Sequence, residues 1–176
     1  MLIYGTKDLI LTGYTDSDFQ TDKDARKSTS GSVFTLNGGA VVWRSIKQSC
    51  IADSTMEAEY VAACETAKEA VWCDNSGAVV NMHLPITLYC DNSGAVANSR
   101  EPRSHKRGKH TECKYHLIRK IVHRGNVVVT QISYEQNIAD HFTKVVMAKV
   151  FESHLQSLGL RCLKTRTSGR LNGHIP

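Results

Sequence analysis

The first part of the chain alternates short apolar runs with turn residues, which is the pattern of a β-meander. Runs rich in β-branched and aromatic residues cover residues 9–16, 31–36 and 40–45. Asn37 and Gly38 separate the last two runs, and both residue types accept positive φ, so a tight hairpin is predicted. The polar stretch 18–30 is predicted to be a loop. The chain is therefore expected to open with three antiparallel strands.

After these strands, apolar residues recur at the spacing of a helix. Ser54 and Glu57 have the S-x-x-E spacing of a capping box, and apolar residues recur at helical intervals up to Trp72, so residues 54–72 are predicted to be a helix. Further along, the pattern predicts a strand at 86–90, helices at 92–99 and 112–123, a strand at 127–132 and a C-terminal helix at 138–160. Gly125 is expected to end the helix before it. The sum is a mixed α/β domain with one sheet and helices on its faces.

Composition limits the class of protein. The chain has 176 residues, 41% of them hydrophobic and 22% charged, which is typical of a globular domain. No apolar run approaches the roughly 18 to 20 residues that a membrane span needs. Residues 1–12 lack the pattern of a signal peptide, so a secreted protein is not expected. The six cysteines form no C-x-x-C motif and are expected to be free thiols.

The heptapeptide CDNSGAV occurs twice, at 73–79 and at 90–96. A single short repeat does not indicate a solenoid. It is interpreted as a local duplication or an error in the gene sequence. Only the second copy follows a strand-like segment.

Positive charge is concentrated in residues 100–124. This segment holds nine of the 22 Lys and Arg residues but only two of the 17 acids, a net charge of +7, whereas the rest of the chain carries −2. A basic block of this kind favours an anionic partner, most often nucleic acid. A solvated helix face is the alternative interpretation.

Four acidic residues are expected where predicted elements meet one edge of the sheet: Asp16, Glu59, Asp91 and Asp140. Hard cations such as Mg²⁺ prefer carboxylate oxygens, and converging carboxylates stay ionised together when metal neutralises them. Two ions about 3.5 to 4 Å apart would suit phosphodiester hydrolysis. Spacing alone leaves chance placement open, because 17 acids will put some at strand ends.

Several motifs stand in a fixed order along the chain. They are Y-T-D-S-D at 14–18, R-K-S-T-S-G at 26–31, S-T-M-E-A-E-Y at 54–60, Y-C-D-N at 89–92, K-H-T-E-C-K-Y-H-L-I-R at 109–119 and N-I-A-D at 137–140. Over residues 11–160 the chain resembles the ribonuclease H domain of plant Ty1/copia-type LTR retrotransposon Pol polyproteins.

The resemblance implies an RNase H-like fold, with a five-stranded mixed sheet of order 3-2-1-4-5 and helices on both faces. The domain would cover 9–162, after a lead-in at 1–8, with an irregular insert at 73–84 and a disordered tail at 163–176. The implied activity is endonucleolytic cleavage of the RNA strand of an RNA–DNA hybrid with two Mg²⁺ or Mn²⁺ ions. The implied partners are the hybrid and the reverse transcriptase domain of the parent polyprotein, in the cytoplasm (a virus-like particle) or the nucleus, without a membrane.

The resemblance also implies residue roles. The catalytic and metal-binding residues would be Asp16, Glu59, Asp91 and Asp140. Each of the first three has a nearby rival: Asp18 shares strand parity with Asp16, Glu57 suits the capping box better than the site, and Asp74 is the duplicate of Asp91 without a preceding strand. The nucleic-acid-binding residues would be Lys106, Arg107, Lys109, His110, Lys114 and Arg119.

Other functions stay open at this point. One is a catalytically silent nucleic-acid-binding remnant of the same fold, another is a structural or interaction protein, and a third is an unrelated α/β metal-dependent nuclease. Some ribonucleases H carry a histidine on the loop before the last aspartate, but residues 133–136 contain none. His141 is interpreted as an ordinary residue at the start of a helix.

Overall fold

The computed structural model describes residues 9–75, 84–100 and 109–144, with the single positions 152 and 155, and it leaves out the side chains of 74, 75 and 109–115. The predicted lead-in, most of the first CDNSGAV copy and the tail lie outside the described residues. The strands are β1 (Leu11–Asp22), β2 (Lys27–Leu36), β3 (Gly39–Lys47), β4 (Ile86–Cys90) and β5 (Val127–Gln131). The helices are α1 (Thr55–Asn75), α2 (Ser93–Arg100) and α3 (Lys109–His123), followed by 3₁₀ helices at Tyr134–Gln136 and Ile138–Phe142.

The five strands form one mixed sheet in the order β3-β2-β1-β4-β5. β1, β2 and β3 are antiparallel neighbours. β4 runs parallel to β1, and β5 runs parallel to β4. The expected strand order is confirmed.

Local signals explain two of the boundaries. Asn37 and Gly38 adopt φ of 49° and 85° in the turn between β2 and β3, as the hairpin prediction requires. At the start of α1 the Glu57 amide donates to Ser54 Oγ (3.2 Å), and Glu57 Oε2 accepts from the Asp53 amide (2.8 Å). The side chain of Glu57 is therefore used in capping the helix.

The loop predicted at 18–30 is confined to a turn at 23–26, and the prediction is wrong for the residues on either side of it. β1 continues to Asp22, β2 begins at Lys27, and pairs such as Asp18 with Thr29 keep the two strands in register. Ser28 and Ser30 of this stretch are buried, but their side chains are polar, so no alternation of apolar and polar residues marks the strand. The backbone ladder between the two segments, which the side-chain pattern does not report, makes them strands.

The prediction of a continuous C-terminal helix that begins at Ile138 is also wrong. A 3₁₀ helix occupies Ile138–Phe142, and Thr143 after it has a φ of −119°, far from the roughly −63° of a regular α-helix. The Thr143 amide bonds to the Asp140 carbonyl three residues back, which is the tighter 3₁₀ pattern. Residues 145–160 lie outside the described part of the chain, apart from helical positions 152 and 155.

The two faces of the sheet are covered differently. One face packs against α1, where small residues such as Ala63, Ala67 and Ala70 allow a close approach to buried Phe34 and Leu88. On the other face the second 3₁₀ helix packs through Ile138 and Ala139 against Val33. Within the part of the chain that the structure describes, no helix is both long and apolar enough to cross a membrane.

Candidate active site

The first carboxylate of the site is that of Asp16, near the middle of β1. Asp16 is fully buried, although aspartate seldom is unless it is paired. One turn into α1, the Glu59 side chain reaches the same strand, and its Oε1 accepts the backbone N–H of Ser17 at 3.1 Å. This contact sets Glu59 apart from Glu57, which turns back to the helix cap.

The parallel pairing of β1 with β4 brings in the third carboxylate. Thr15 lies beside Cys90, the last residue of β4, so Asp91 leaves the sheet next to Asp16. Asp140 joins from the second 3₁₀ helix on the other face of the sheet. One carboxylate oxygen from each of Asp16, Asp91 and Asp140 lies within 4.8 Å of the other two.

Glu59 extends the cluster on the side of α1. Its carboxylate, the Asp91 carboxylate and the Cys90 sulfur lie within 4.8 Å of one another. Burial raises the pKa of the Cys90 thiol far above its ordinary value, so the sulfur stays protonated at neutral pH and is a poor ligand. The donors that remain are oxygens, which hard divalent cations prefer.

The electrostatics of the cluster oppose its full ionisation. Burial, reinforced by the charges of Asp16 and Asp91, raises the pKa of Glu59 to about 9. Burial also raises the pKa of Asp16 to about 6, against the opposing effects of Thr143 and Lys144. A third group, Asp91, has its pKa raised by burial in the same way. A divalent cation would compensate this repulsion.

Two buried polar atoms beside the cluster have no hydrogen-bond partner within the described residues, Glu59 Oε2 and Ser17 Oγ. Both residues are more than nine-tenths buried. They line a cleft of about 420 Å³ together with Asp91 and Asn92. Because buried polar atoms are normally satisfied, the donor set and these atoms fit a hydrated divalent cation.

Lys144 is a site residue that sequence reasoning missed. Its Nζ lies 2.8 Å from Asp140 Oδ1 and 3.3 Å from Asp16 Oδ1, and the Thr143 hydroxyl donates to the other oxygen of Asp16. Burial lowers the pKa of Lys144, but the hydrogen bond to Asp140 and the charge of Asp16 outweigh it and leave the pKa raised. The i, i+4 spacing of Asp140 and Lys144 was the available signal.

Asn137 is a second residue whose role was missed. Its Nδ2 donates to the Thr15 carbonyl at 3.0 Å, and its Oδ1 accepts the Ala139 amide at 3.2 Å. A hydrogen bond from Asn137 also lowers the pKa of Asp91, although burial raises that pKa more. Fully buried Asn137 thus ties the 3₁₀ helix to β1 and to the Asp91 carboxylate.

Of the other residues named from the sequence, the structure describes the side chains of Asp18 and Arg119. Asp18 lines the cleft, but its carboxylate belongs to neither of the two sets of converging ligand atoms. Half-buried Arg119 donates from Nε to the Asn98 carbonyl at 3.1 Å, so part of its side chain joins α3 to α2. The remaining ones lie outside the described side chains: Asp74, Lys106, Arg107, Lys109, His110 and Lys114.

The strand order, together with carboxylates that gather where β1 and β4 lie side by side, defines an RNase H-like fold. A crystal structure of LC11-RNase H1 in complex with an RNA/DNA hybrid superposes with a TM-score of 0.58 at 18% identity, covering 80% of this chain and 99% of that one. Part of the prototype foamy virus protease–reverse transcriptase superposes with a TM-score of 0.56 at 12% identity, covering 83% of this chain and 22% of that one.

In sequence, the chain is related to Pol polyproteins of plant Ty1/copia-type transposons, which confirms the resemblance. It is 42% identical over 160 residues to the retrovirus-related Pol polyprotein from transposon TNT 1-94 of Nicotiana tabacum, covering 90% of this chain. It is 33% identical over 154 residues to that from transposon RE1 of Arabidopsis thaliana, covering 86%. The chain spans 12% and 10% of the length of these relatives. No family model matches it.

Proposed function

We propose that this chain hydrolyses the RNA strand of RNA–DNA hybrids, with two Mg²⁺ or Mn²⁺ ions held by Asp16, Glu59, Asp91 and Asp140. The observation that carries the proposal is the convergence of Asp16, Asp91 and Asp140 oxygens within 4.8 Å, in a buried and electrostatically unfavourable cluster. Acidic groups of that kind are a hallmark of functional sites.

Each carboxylate would have a definite part in holding the ions. Oxygens of Asp16 and Asp140 converge with Asp91, and Asp91 also lies beside Glu59, so Asp91 is the residue shared by both groups of ligand atoms. When bound, divalent cations lower the pKa of a coordinated water and stabilise the developing charge on the leaving oxygen. Asn137 would keep Asp91 aimed at the cluster through its hydrogen bond.

Substrate binding would depend on shape and charge. The segment 100–124 carries a net charge of +7, which suits a phosphate backbone. Recognition of the RNA strand would rest on groove shape and 2′-hydroxyl contacts rather than on base sequence. LC11-RNase H1, which shares the fold, was crystallised in complex with an RNA/DNA hybrid, and this supports the choice of substrate.

The proposed partner is the reverse transcriptase domain of a longer Pol polyprotein. The relatives in sequence are Pol polyproteins of which this chain spans about a tenth, and the foamy virus chain with the same fold is a protease–reverse transcriptase. A domain that degrades RNA after DNA synthesis would act on the product of that partner. The corresponding location would be a cytoplasmic virus-like particle or the nucleus.

The test is a cleavage assay on three labelled duplexes of one sequence: RNA–DNA hybrid, double-stranded RNA and double-stranded DNA. We expect Mg²⁺-dependent cuts in the RNA strand of the hybrid alone, abolished by EDTA. Hybrid binding without cleavage would instead favour a catalytically silent remnant. Cleavage of double-stranded DNA would favour an unrelated metal-dependent nuclease.

A further inference from the structure

Lys144 occupies an unusual place for a lysine, since its ammonium group lies inside the carboxylate cluster. It bonds to Asp140 Oδ1 at 2.8 Å and to Asp16 Oδ1 at 3.3 Å. Its third neighbour is the ring of Tyr134, whose centroid is 5.0 Å away. The lysine side chain is about 30% exposed, so solvent screens this charge only in part.

These contacts engage both oxygens of Asp16. Lys144 reaches Oδ1, and the Thr143 hydroxyl reaches Oδ2. A cation that coordinates Asp16 must therefore share or displace one of these donors. Because the Asp16 side chain is completely buried, it has no solvent-facing oxygen to offer instead.

Charge makes Lys144 the important competitor. A hydroxyl can rotate to another acceptor, and Thr143 Oγ1 is already 3.1 Å from the Asp140 carbonyl. An ammonium group near a divalent ion repels it at any orientation, and at a separation of about 4 Å this repulsion remains substantial near a protein surface.

We propose that Lys144 is a built-in counterion of the carboxylate cluster, which holds the cluster together without metal and lowers its affinity for divalent cations. This inference rests on the proposed function, because it assigns the same cluster to those cations. Lys144 is thus a positioning residue that tunes when the site is loaded.

The experiment measures binding of Mg²⁺ alone to the full chain by titration calorimetry, without nucleic acid. Lys144→Met keeps the length of the side chain and removes its charge, so we expect it to bind Mg²⁺ at least about tenfold more tightly than the parent chain. Lys144→Arg keeps the charge and should stay within about threefold of the parent. Lys47→Met is the matched control, because it breaks an exposed ion pair with Asp22 and should leave affinity unchanged.

A second readout is unfolding by urea in EDTA. Lys144→Met should lower the midpoint relative to the parent, and saturating Mg²⁺ should remove that difference. Should Lys144→Met fail to fold in EDTA, Lys144→Gln repeats both measurements, because its neutral amide can still donate to Asp140.

The outcomes separate the two proposals. Mg²⁺ binding by Lys144→Met or Lys144→Gln that equals the parent's, or is weaker, would overturn the counterion role and leave the proposed function standing. An absence of Mg²⁺ binding in the parent and in every variant would overturn both. Tighter binding by the neutral variants, with the arginine variant near the parent, supports the inference even before any cleavage is measured.

Discussion

Gly31 of β2 lies directly opposite Asp16 of β1 in the antiparallel register. A Cβ at Gly31 would meet Thr143 Cγ2 at 2.7 Å, the Ala139 carbonyl oxygen at 2.9 Å and Phe142 Cβ at 3.0 Å. The absence of a side chain therefore lets the second 3₁₀ helix rest on the sheet. That close approach is what brings Thr143 to the Asp16 carboxylate.

Replacing Gly31 with alanine should disturb the site from a distance. The backbone contact with Ala139 cannot move aside cheaply, so we expect a loss of about 1 to 3 kcal/mol in the free energy of unfolding. We also expect weaker Mg²⁺ stabilisation, measured as a smaller rise in Tm. Gly39→Ala is the control, because its Cβ meets only the Leu36 carbonyl oxygen at 3.7 Å. Similar losses in both variants would show that packing of the second 3₁₀ helix on the sheet does not depend on the missing side chain at Gly31.

The raised pKa of Glu59 predicts a pH-dependent stability. Its folded pKa of about 9 lies above the ordinary value of 4.5, so the folded state binds more protons than the unfolded state between those values. In EDTA, stability should therefore fall as pH rises from about 5 to 9. Because Glu59→Gln has no carboxylate to ionise, it should flatten the profile and have a higher urea midpoint than the parent chain at pH 8. Urea unfolding at each pH measures this.

The same urea unfolding, repeated with Mg²⁺, measures how much the cation stabilises the chain at each pH. Mg²⁺ should stabilise the parent chain more at pH 8 than at pH 5, because the cation competes with protons for the carboxylates. Glu59→Gln should lose much of this effect. Asp18→Asn, at the cleft but outside the converging carboxylates, should retain the parent's pH profile. Parallel profiles for the parent and Glu59→Gln would refute the assignment.

Asp91→Asn tests the residue shared by both groups of ligand atoms. The change keeps the shape of the side chain and removes one charge, so cleavage should fall by more than the roughly 100-fold typical of losing an outer metal partner. Hybrid binding should survive. Asp74→Asn changes the duplicate motif and should leave cleavage near normal, as measured in single-turnover assays. Loss of cleavage in Asp74→Asn alone would mean that the other CDNSGAV copy supplies the ligand.

The basic segment predicts a salt-dependent affinity. Changing Lys106, Arg107 and Lys109 together to glutamine should flatten the slope of log affinity against log salt by roughly two to three units. Fluorescence anisotropy with a labelled hybrid at several salt concentrations gives the slope. A triple change at exposed lysines elsewhere, Lys23, Lys47 and Lys68, is the charge-matched control. Equal slopes for the two triple variants would show that 100–124 is only a solvated face.

Several elements follow from local chemistry and could be predicted from the amino-acid sequence by itself. The Asn37–Gly38 turn needs positive φ, the Ser54–Glu57 cap satisfies the first amides of α1, and the apolar run Ile86–Cys90 is a strand because its alternate residues are buried. The motifs that carry the resemblance also pointed to four carboxylates, as well as to the expected strand order.

Other features depend on contacts between residues far apart in the chain, so only the tertiary structure decided them. The polar strand ends at 18–22 and 27–30 are held together by backbone hydrogen bonds, which a pattern of hydrophobic residues does not reveal. Lys144 stands next to Asp16 across 128 positions of sequence, and Asn137 bonds to Thr15 across 122. A local pattern extends over a few residues, whereas the burial that raises the pKa of Glu59 and Asp16 arises only when β1, β4, α1 and the last 3₁₀ helix meet.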